Sequence, residues 1–216
     1  MSSQPTPKPL SPKARLRHAL RRLRFRLAPG GGTMLHLHDT IEGQLHLKES
    51  NWLFRTARGR ANIVEIGSFR GRSTALLAAG AGPGGRVTAI DPHLDFEQDS
   101  TIHYGDADGC AFDANMLRAG VAARVRKLRL KSSEALGAYG DAPIDMLWID
   151  GDHHYPAVLD DLTRWGPLVR VGGVVACHDY LWWADVRRAW AEVIASTPRW
   201  KVEGQVESII WATRRA

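Results

Sequence analysis

Two apolar, β-branched runs in the second half of the chain, residues 144–149 and 171–177, each stop abruptly on ionisable side chains. The first runs into Asp150-Gly151-Asp152-His153-His154 and the second into His178-Asp179. Short continuous apolar runs read as strands of a buried parallel sheet. In an open α/β sheet, ligands sit outside the carboxyl ends of such strands. The two ends therefore predict one crevice carrying Asp, His, His and Asp, a composition suited to a hard metal or to acid/base work. Polar residues also end strands for structural reasons, with Asp150 or Asp152 as a helix N-cap. That account covers one terminus well, and two that match an upstream loop poorly.

The upstream loop lies in NIVEIGSFRGRSTALLA, residues 62–78. Residues 63–66 read as a buried strand, Gly67-Ser68-Phe69-Arg70-Gly71 as a turn, and Ser73 onward as a helix. Glycine at 67 and 71 lets backbone approach a ligand closely, and the following helix start presents free N–H groups. The spacing is not that of a dinucleotide loop, because residue 69 is Phe. A second strand, residues 86–90, ends at Asp91, where a carboxylate is placed to accept hydrogen bonds from ribose hydroxyls.

VEIGSFRGRS, RVTAID and IDMLWIDGDHHY with GGVVACHDY resemble class I S-adenosylmethionine-dependent methyltransferases. The similarity is strongest to the small-molecule O-methyltransferase branch related to catechol O-methyltransferase and the macrolide-sugar O-methyltransferases. It spans residues 42–213. It implies an α/β fold with a doubly wound, mainly parallel seven-stranded sheet and a final antiparallel strand. It implies S-adenosyl-L-methionine as cofactor, its methionine end on Glu65, Gly67 and Ser73 with Ser68 and Gly71 of the same loop. Asp91 would hold the ribose and Ser132 would lie near the adenine. Asp150 would be a metal ligand within reach of the cofactor, joined by Asp179, and His153 stands where the family carries its general base. At His178 the catechol-type relatives have a second carboxylate; this chain offers an imidazole as the third ligand.

The mechanism this predicts is in-line methyl transfer from a sulfonium to a hydroxyl oxygen of a small molecule, a sugar or a phenolic. A divalent cation, Mg²⁺ or a softer metal given His178, would lower the hydroxyl pKa, and His153 would accept the proton. Without metal, His153 and Asp179 form a base and its orienting partner. Two rivals differ in class: an RNA methyltransferase anchored by a basic arm, which lacks an NPPY-like motif, and a non-catalytic docking module, against which the Asp/His strand ends count.

Charge is uneven along the 216 residues. Residues 1–30 hold eight basic side chains and no acid, leaving the remainder with 21 basic against 23 acidic. Residues 1–32 therefore read as a basic arm and 33–216 as the methyltransferase domain, with residues 1–12 disordered and Gly30-Gly31-Gly32 a hinge. Leu16, Leu20, Leu23 and Leu27 form one helical stripe. Three uses compete for it: an anionic membrane surface, nucleic acid, or packing on the body or on a homodimer partner. No apolar run is long enough to span a bilayer and no signal peptide is evident, so a cytoplasmic enzyme, peripheral at a membrane if the arm binds one, is expected. Cys110 and Cys177 read as reduced thiols.

Helices are predicted over 45–57, 113–122, 155–168 and 183–194 and a terminal hairpin over 200–202 and 208–212. Trp183 and Trp190 are expected in the core, Tyr180 and Trp182 at the crevice mouth, and His154 in a turn. His36, His38 and His46 have no carboxylate or cysteine set beside them for metal. Acceptor specificity is expected in loops such as residues 93–108.

Overall fold

The computed structural model describes residues 11–94, 96–99 and 102–216, the side chains of 96–99, 102 and 103 standing outside that description. Helix α1 (Pro12–Leu27) starts on Ser11, whose hydroxyl accepts from the Ala14 amide at 3.3 Å, with Pro12 in the first turn where no amide donor is missed. Helices α2 (Gly31–Thr40) and α3 (Leu47–Thr56) follow. The first βα unit is β1 (Asn62–Ile66) with α4 (Arg72–Ala81). Next come β2 (Arg86–Ile90), an antiparallel ribbon of β3 (Phe96–Asp99) and β4 (Ile102–Tyr104), α5 (Asp106–Arg118) and β5 (Val125–Leu128). The chain continues through α6 (Ser132–Tyr139), β6 (Ile144–Ile149), α7 (Tyr155–Trp165), β7 (Val169–Cys177) and α8 (Ala184–Trp190). A π-helical turn at Ala191–Ala195 extends α8 before the closing hairpin of β8 (Trp200–Val206) and β9 (Ile209–Arg214).

Seven strands form one sheet in the order β5-β2-β1-β6-β7-β9-β8. Only β9 runs antiparallel to its neighbours. The expected doubly wound, mainly parallel sheet with one reversed strand is present. Alternation along each strand splits the core in two. Ile63, Met146 and Trp148 pack toward α2, α3 and α4, whereas Val64, Ile66, Leu147 and Ile149 pack toward α7 and α8. Strand order reverses between β1 and β6, so the crevice opens where these two strands end, at Gly67 and Asp150.

The triple glycine is not a loose hinge. Gly30 has φ of 70° and caps α2, and a Cβ on Gly31 would lie 1.7 Å from the Phe25 carbonyl oxygen, so α1 and α2 meet in a tight corner. Residues 33–40, which include His36 and His38, form most of α2, whose Met34, Leu35 and Leu37 are buried. Helix α5 begins well before residue 113 because Asp108 accepts from the Gly105 amide at 2.9 Å and satisfies its first turn. Of residues 1–12, expected to be disordered, Ser11 and Pro12 instead start α1 and residues 1–10 lie outside those described; within the 93–108 segment the side chains of residues 95–103 lie outside as well. Among the described helices none is long and apolar enough to cross a membrane.

Candidate active site

Gly67 leaves β1 with φ of 83°, a conformation that favours glycine, and a Cβ there would lie 2.1 Å from the Asp150 carbonyl oxygen. The tips of β1 and β6 thus touch through backbone alone: the Gly67 amide donates to Ile90 and the Asp150 amide to Ile66. One strand over, the His178 amide donates to Ile149 at 3.0 Å, which levels the tip of β7 with that of β6.

Asp91, at the end of β2, ties the loop down. Its Oδ2 accepts from the Ser68 and Phe69 amides at 2.8 Å each, and its Oδ1 from the His93 amide at 2.9 Å. The residue expected to hold a ribose therefore also sets the shape of the glycine loop; a carboxylate has lone pairs enough for both. Gly71 caps α4 with φ of 85°. Glu65, wholly buried in β1, accepts from the Thr74 hydroxyl and is hydrogen-bonded by Ser73, both at the start of α4. Burial outweighs those donors and pushes its carboxyl up to about 8. Glu65 Oε1 and Ser68 Oγ are buried without a partner among the described residues. A buried acid with an idle oxygen beside a cradle too tight for side chains fits a cationic amino group of a bound ligand. Ser132 starts α6 and its hydroxyl turns to Asp161 of α7, a carboxyl that burial pushes up to about 7.

At the tips of β6 and β7, Asp150, His153 and Asp179 each bring one ligand atom within 4.8 Å of the others. His153 Nε2 lies 2.8 Å from Asp179 Oδ2. Asp179 has φ of 56°, a strained backbone for a non-glycine residue, which aims its carboxylate at His153. His178, expected as a third metal ligand, stands outside this trio. Its ring is buried behind the two aspartates, with Nδ1 3.1 Å from Asp150 and 3.2 Å from Asp179, and Nε2 3.2 Å from Glu49. Burial alone would lower its pKa; Asp150 first, then Asp179 and Glu49, reverse this and hold the ring protonated, well above the imidazole range. An imidazolium has no lone pair for a metal. Asp179 in turn is held below the usual carboxylate range by His153 and His178 against its own desolvation.

Glu49 and Trp183, which carry no site signal in the sequence, back this arrangement through His178 and His153. Glu49 is fully buried in α3, accepts from the His46 amide at 2.7 Å and the Ser208 amide at 2.8 Å, and is held below its ordinary range by His178 despite burial. Trp183, expected in the core, is half-buried and stacks on His153 with ring centroids 5.1 Å apart and planes 26° apart. Trp182 is exposed, and His154 closes a turn on Asp152. His38 bonds Ser50, and no metal-type cluster includes it, His36 or His46 among the described residues.

The family description "Methyltransferase domain" matches residues 64–180, from the first strand of this crevice to just past Asp179. The chain belongs to that family. Over 117 residues it is 34% identical to catechol O-methyltransferase of Mycobacterium tuberculosis, covering 52% of this chain and 48% of that enzyme. It spans about half the length of the curated methyltransferases it matches. Among solved structures, the O-methyltransferase TomG of Streptomyces achromogenes in complex with SAM superposes with a TM-score of 0.68 at 19% identity, covering 96% of this chain and all of that one. The Bacillus cereus O-methyltransferase in complex with SAH gives 0.63 at 21% identity over 91% and 97% of the two chains. At such identities these likenesses speak for the methyltransferase fold.

Proposed function

We propose that this protein is an S-adenosylmethionine-dependent O-methyltransferase acting on a hydroxyl of a small molecule, a phenolic or a sugar. One observation carries the reading. A glycine cradle beside the buried acid Glu65, whose Oε1 has no partner among the described residues, shares its crevice with a His153–Asp179 pair on the neighbouring strand tips. When bound, S-adenosylmethionine supplies a methyl group already activated on a sulfonium. The protein's part is then to hold the donor, place the acceptor in line and take one proton. Glu65, Ser68 and Ser73 meet the amino-acid end, and Asp91 accepts from the ribose while it fixes the loop. His153 takes the acceptor's proton, and Asp179 stabilises the imidazolium that results. His178, charged and bonded to both Asp150 and Asp179, keeps those carboxylates from swinging.

A divalent cation fits Asp150, His153 and Asp179, and there it would lower the pKa of an acceptor hydroxyl. A cation on His153 would take the lone pair that the base needs, so the metal and base roles exclude one another at this residue. The metal-free reading is favoured by the 2.8 Å His153–Asp179 pair and by the positive charge His178 already brings to both aspartates.

The test is transfer of labelled methyl from S-adenosylmethionine to catechols and sugars, before and after exhaustive chelation. Activity should survive chelation and fall by roughly 10²–10⁴-fold in His153→Ala. Reversible loss on chelation would instead select the cation. Absence of binding to S-adenosylmethionine and its demethylated product by calorimetry would overturn the whole reading.

A further inference from the structure

Helix α1 is held to the body by the side opposite its leucines. Among its residues only Ala14, Arg22 and Phe25 are partly covered. Phe25 packs against the core cluster that includes Phe54 of α3, and Arg22 donates to Asp39 of α2 at 3.0 Å. At 3.6 residues per turn these three lie within about 80° of arc. Leu16, Leu20, Leu23 and Leu27 lie within about 60° on the far side, and they are 61%, 56%, 53% and 78% exposed. Packing of this stripe on its own domain, one of the roles open from sequence, is therefore not what the structure shows. Cationic side chains flank the stripe: Lys13, Arg17 and Arg24 lie beside it on one flank, and Arg26 lies on the other beyond Pro12 and Ala19, all exposed.

We infer that α1 is a docking surface for an anionic lipid membrane, on which the protein sits with its leucines in the acyl boundary and its basic flanks at the headgroups. An apolar stripe edged by Lys and Arg matches the boundary between acyl chains and acidic headgroups, where long cationic stems rest on apolar surface while their heads stay in water. Charge decides against the other occupants. A second copy placed stripe to stripe would bring two sets of basic flanks together, and α1 carries no acid to relieve them. A phosphate backbone would engage the arginines and leave four leucines in water. Because the face pinned to the body is the opposite one, docking needs no rearrangement of the fold. The inference is independent of the chemistry in the crevice.

The experiment is sedimentation of the full-length protein with vesicles of phosphatidylcholine alone or with about 30% phosphatidylglycerol, at low and high salt. Two full-length variants accompany it, one with Leu16, Leu20, Leu23 and Leu27 replaced by Gln and one with Lys13, Arg17, Arg24 and Arg26 replaced by Gln. All eight positions are exposed, so far-ultraviolet circular dichroism should be unchanged. The wild type should partition onto anionic vesicles at least about tenfold better than onto neutral ones, salt should weaken it, and each variant should lose about tenfold or more. No binding to anionic vesicles at low salt, or equal binding by either variant, would overturn the proposal. So would a wild-type dimer dissociated by the leucine substitutions with no vesicle binding, which would assign the stripe to a second copy.

Discussion

Glu49 is fully buried behind the crevice, yet after Asp150 and Asp179 it helps to hold the charge on His178. Two backbone amides fix the carboxylate in place, so it presents a rigid negative partner to His178 Nε2 while Asp150 and Asp179 share Nδ1. The result is a buried line from Glu49 through His178 and Asp179 to His153, with alternating charge when His153 is protonated. Removing one member of such a set leaves the others uncompensated. Glu49→Gln should therefore lower stability by about 1–3 kcal/mol in urea titration. It should also cut turnover by about tenfold or more through loosened carboxylates, while S-adenosylmethionine affinity changes little. Equal losses in cofactor affinity and turnover would instead mean that Glu49 only supports the fold. No local pattern announces this residue: Ser208, which it binds, is 159 positions away.

Among the elements, the β1–α4 loop and the β6 and β7 tips behave as one unit, because backbone of one is the floor of the next. Gly67→Ala forces a Cβ toward the Asp150 carbonyl at a positive φ, so the two tips must part. The expected outcome is a loss of about 1–3 kcal/mol of stability together with loss of cofactor binding by calorimetry. Asp91→Ala removes the acceptor of three loop amides and should weaken cofactor binding by about 1–3 kcal/mol; a variant binding as tightly as wild type would show that the loop holds itself. These elements were legible in the sequence because strand ends, glycines and strand-end acids are local signals: β2 and β6 fall on the residues read as strands, and Asp150, His153 and Asp179 do converge. What escaped is tertiary. His178 and Asp179 are adjacent in sequence, and only packing against α3 decides that one ring goes behind the carboxylates. Trp183 looked like core on helical spacing, but it lies just before α8 begins, where the backbone is extended and turns the ring onto His153.

For the molecule as a whole, these buried charges set how stability answers to pH. Glu49, Asp145 and Asp179 have folded pKa values below their ordinary ones, so their contribution is present above about pH 4 and is lost as the pH falls further. Glu65, Asp161 and His178 act in the opposite sense, for their folded values are raised. A raised group stabilises fully below its unfolded pKa, about 4.5 for Glu65 and about 6.5 for His178, and that contribution drains away as pH rises toward the folded value. Between pH 5 and the value of about 8 for Glu65, the unfolded chain has released a proton that the folded protein retains. Without ligand, the free energy of unfolding should thus decline through neutrality, by about 1.4 kcal/mol per pH unit for each retained proton. Glu65→Gln removes one such proton and should flatten the slope below pH 8, leaving the part due to Asp161 below about pH 7 and, above pH 6.5, the part due to His178. Urea titrations of both proteins at pH 5.5, 6.5 and 7.5 measure this directly. Parallel curves would mean that Glu65 is already ionised in the empty crevice, and its idle oxygen would then need a cation other than its own proton.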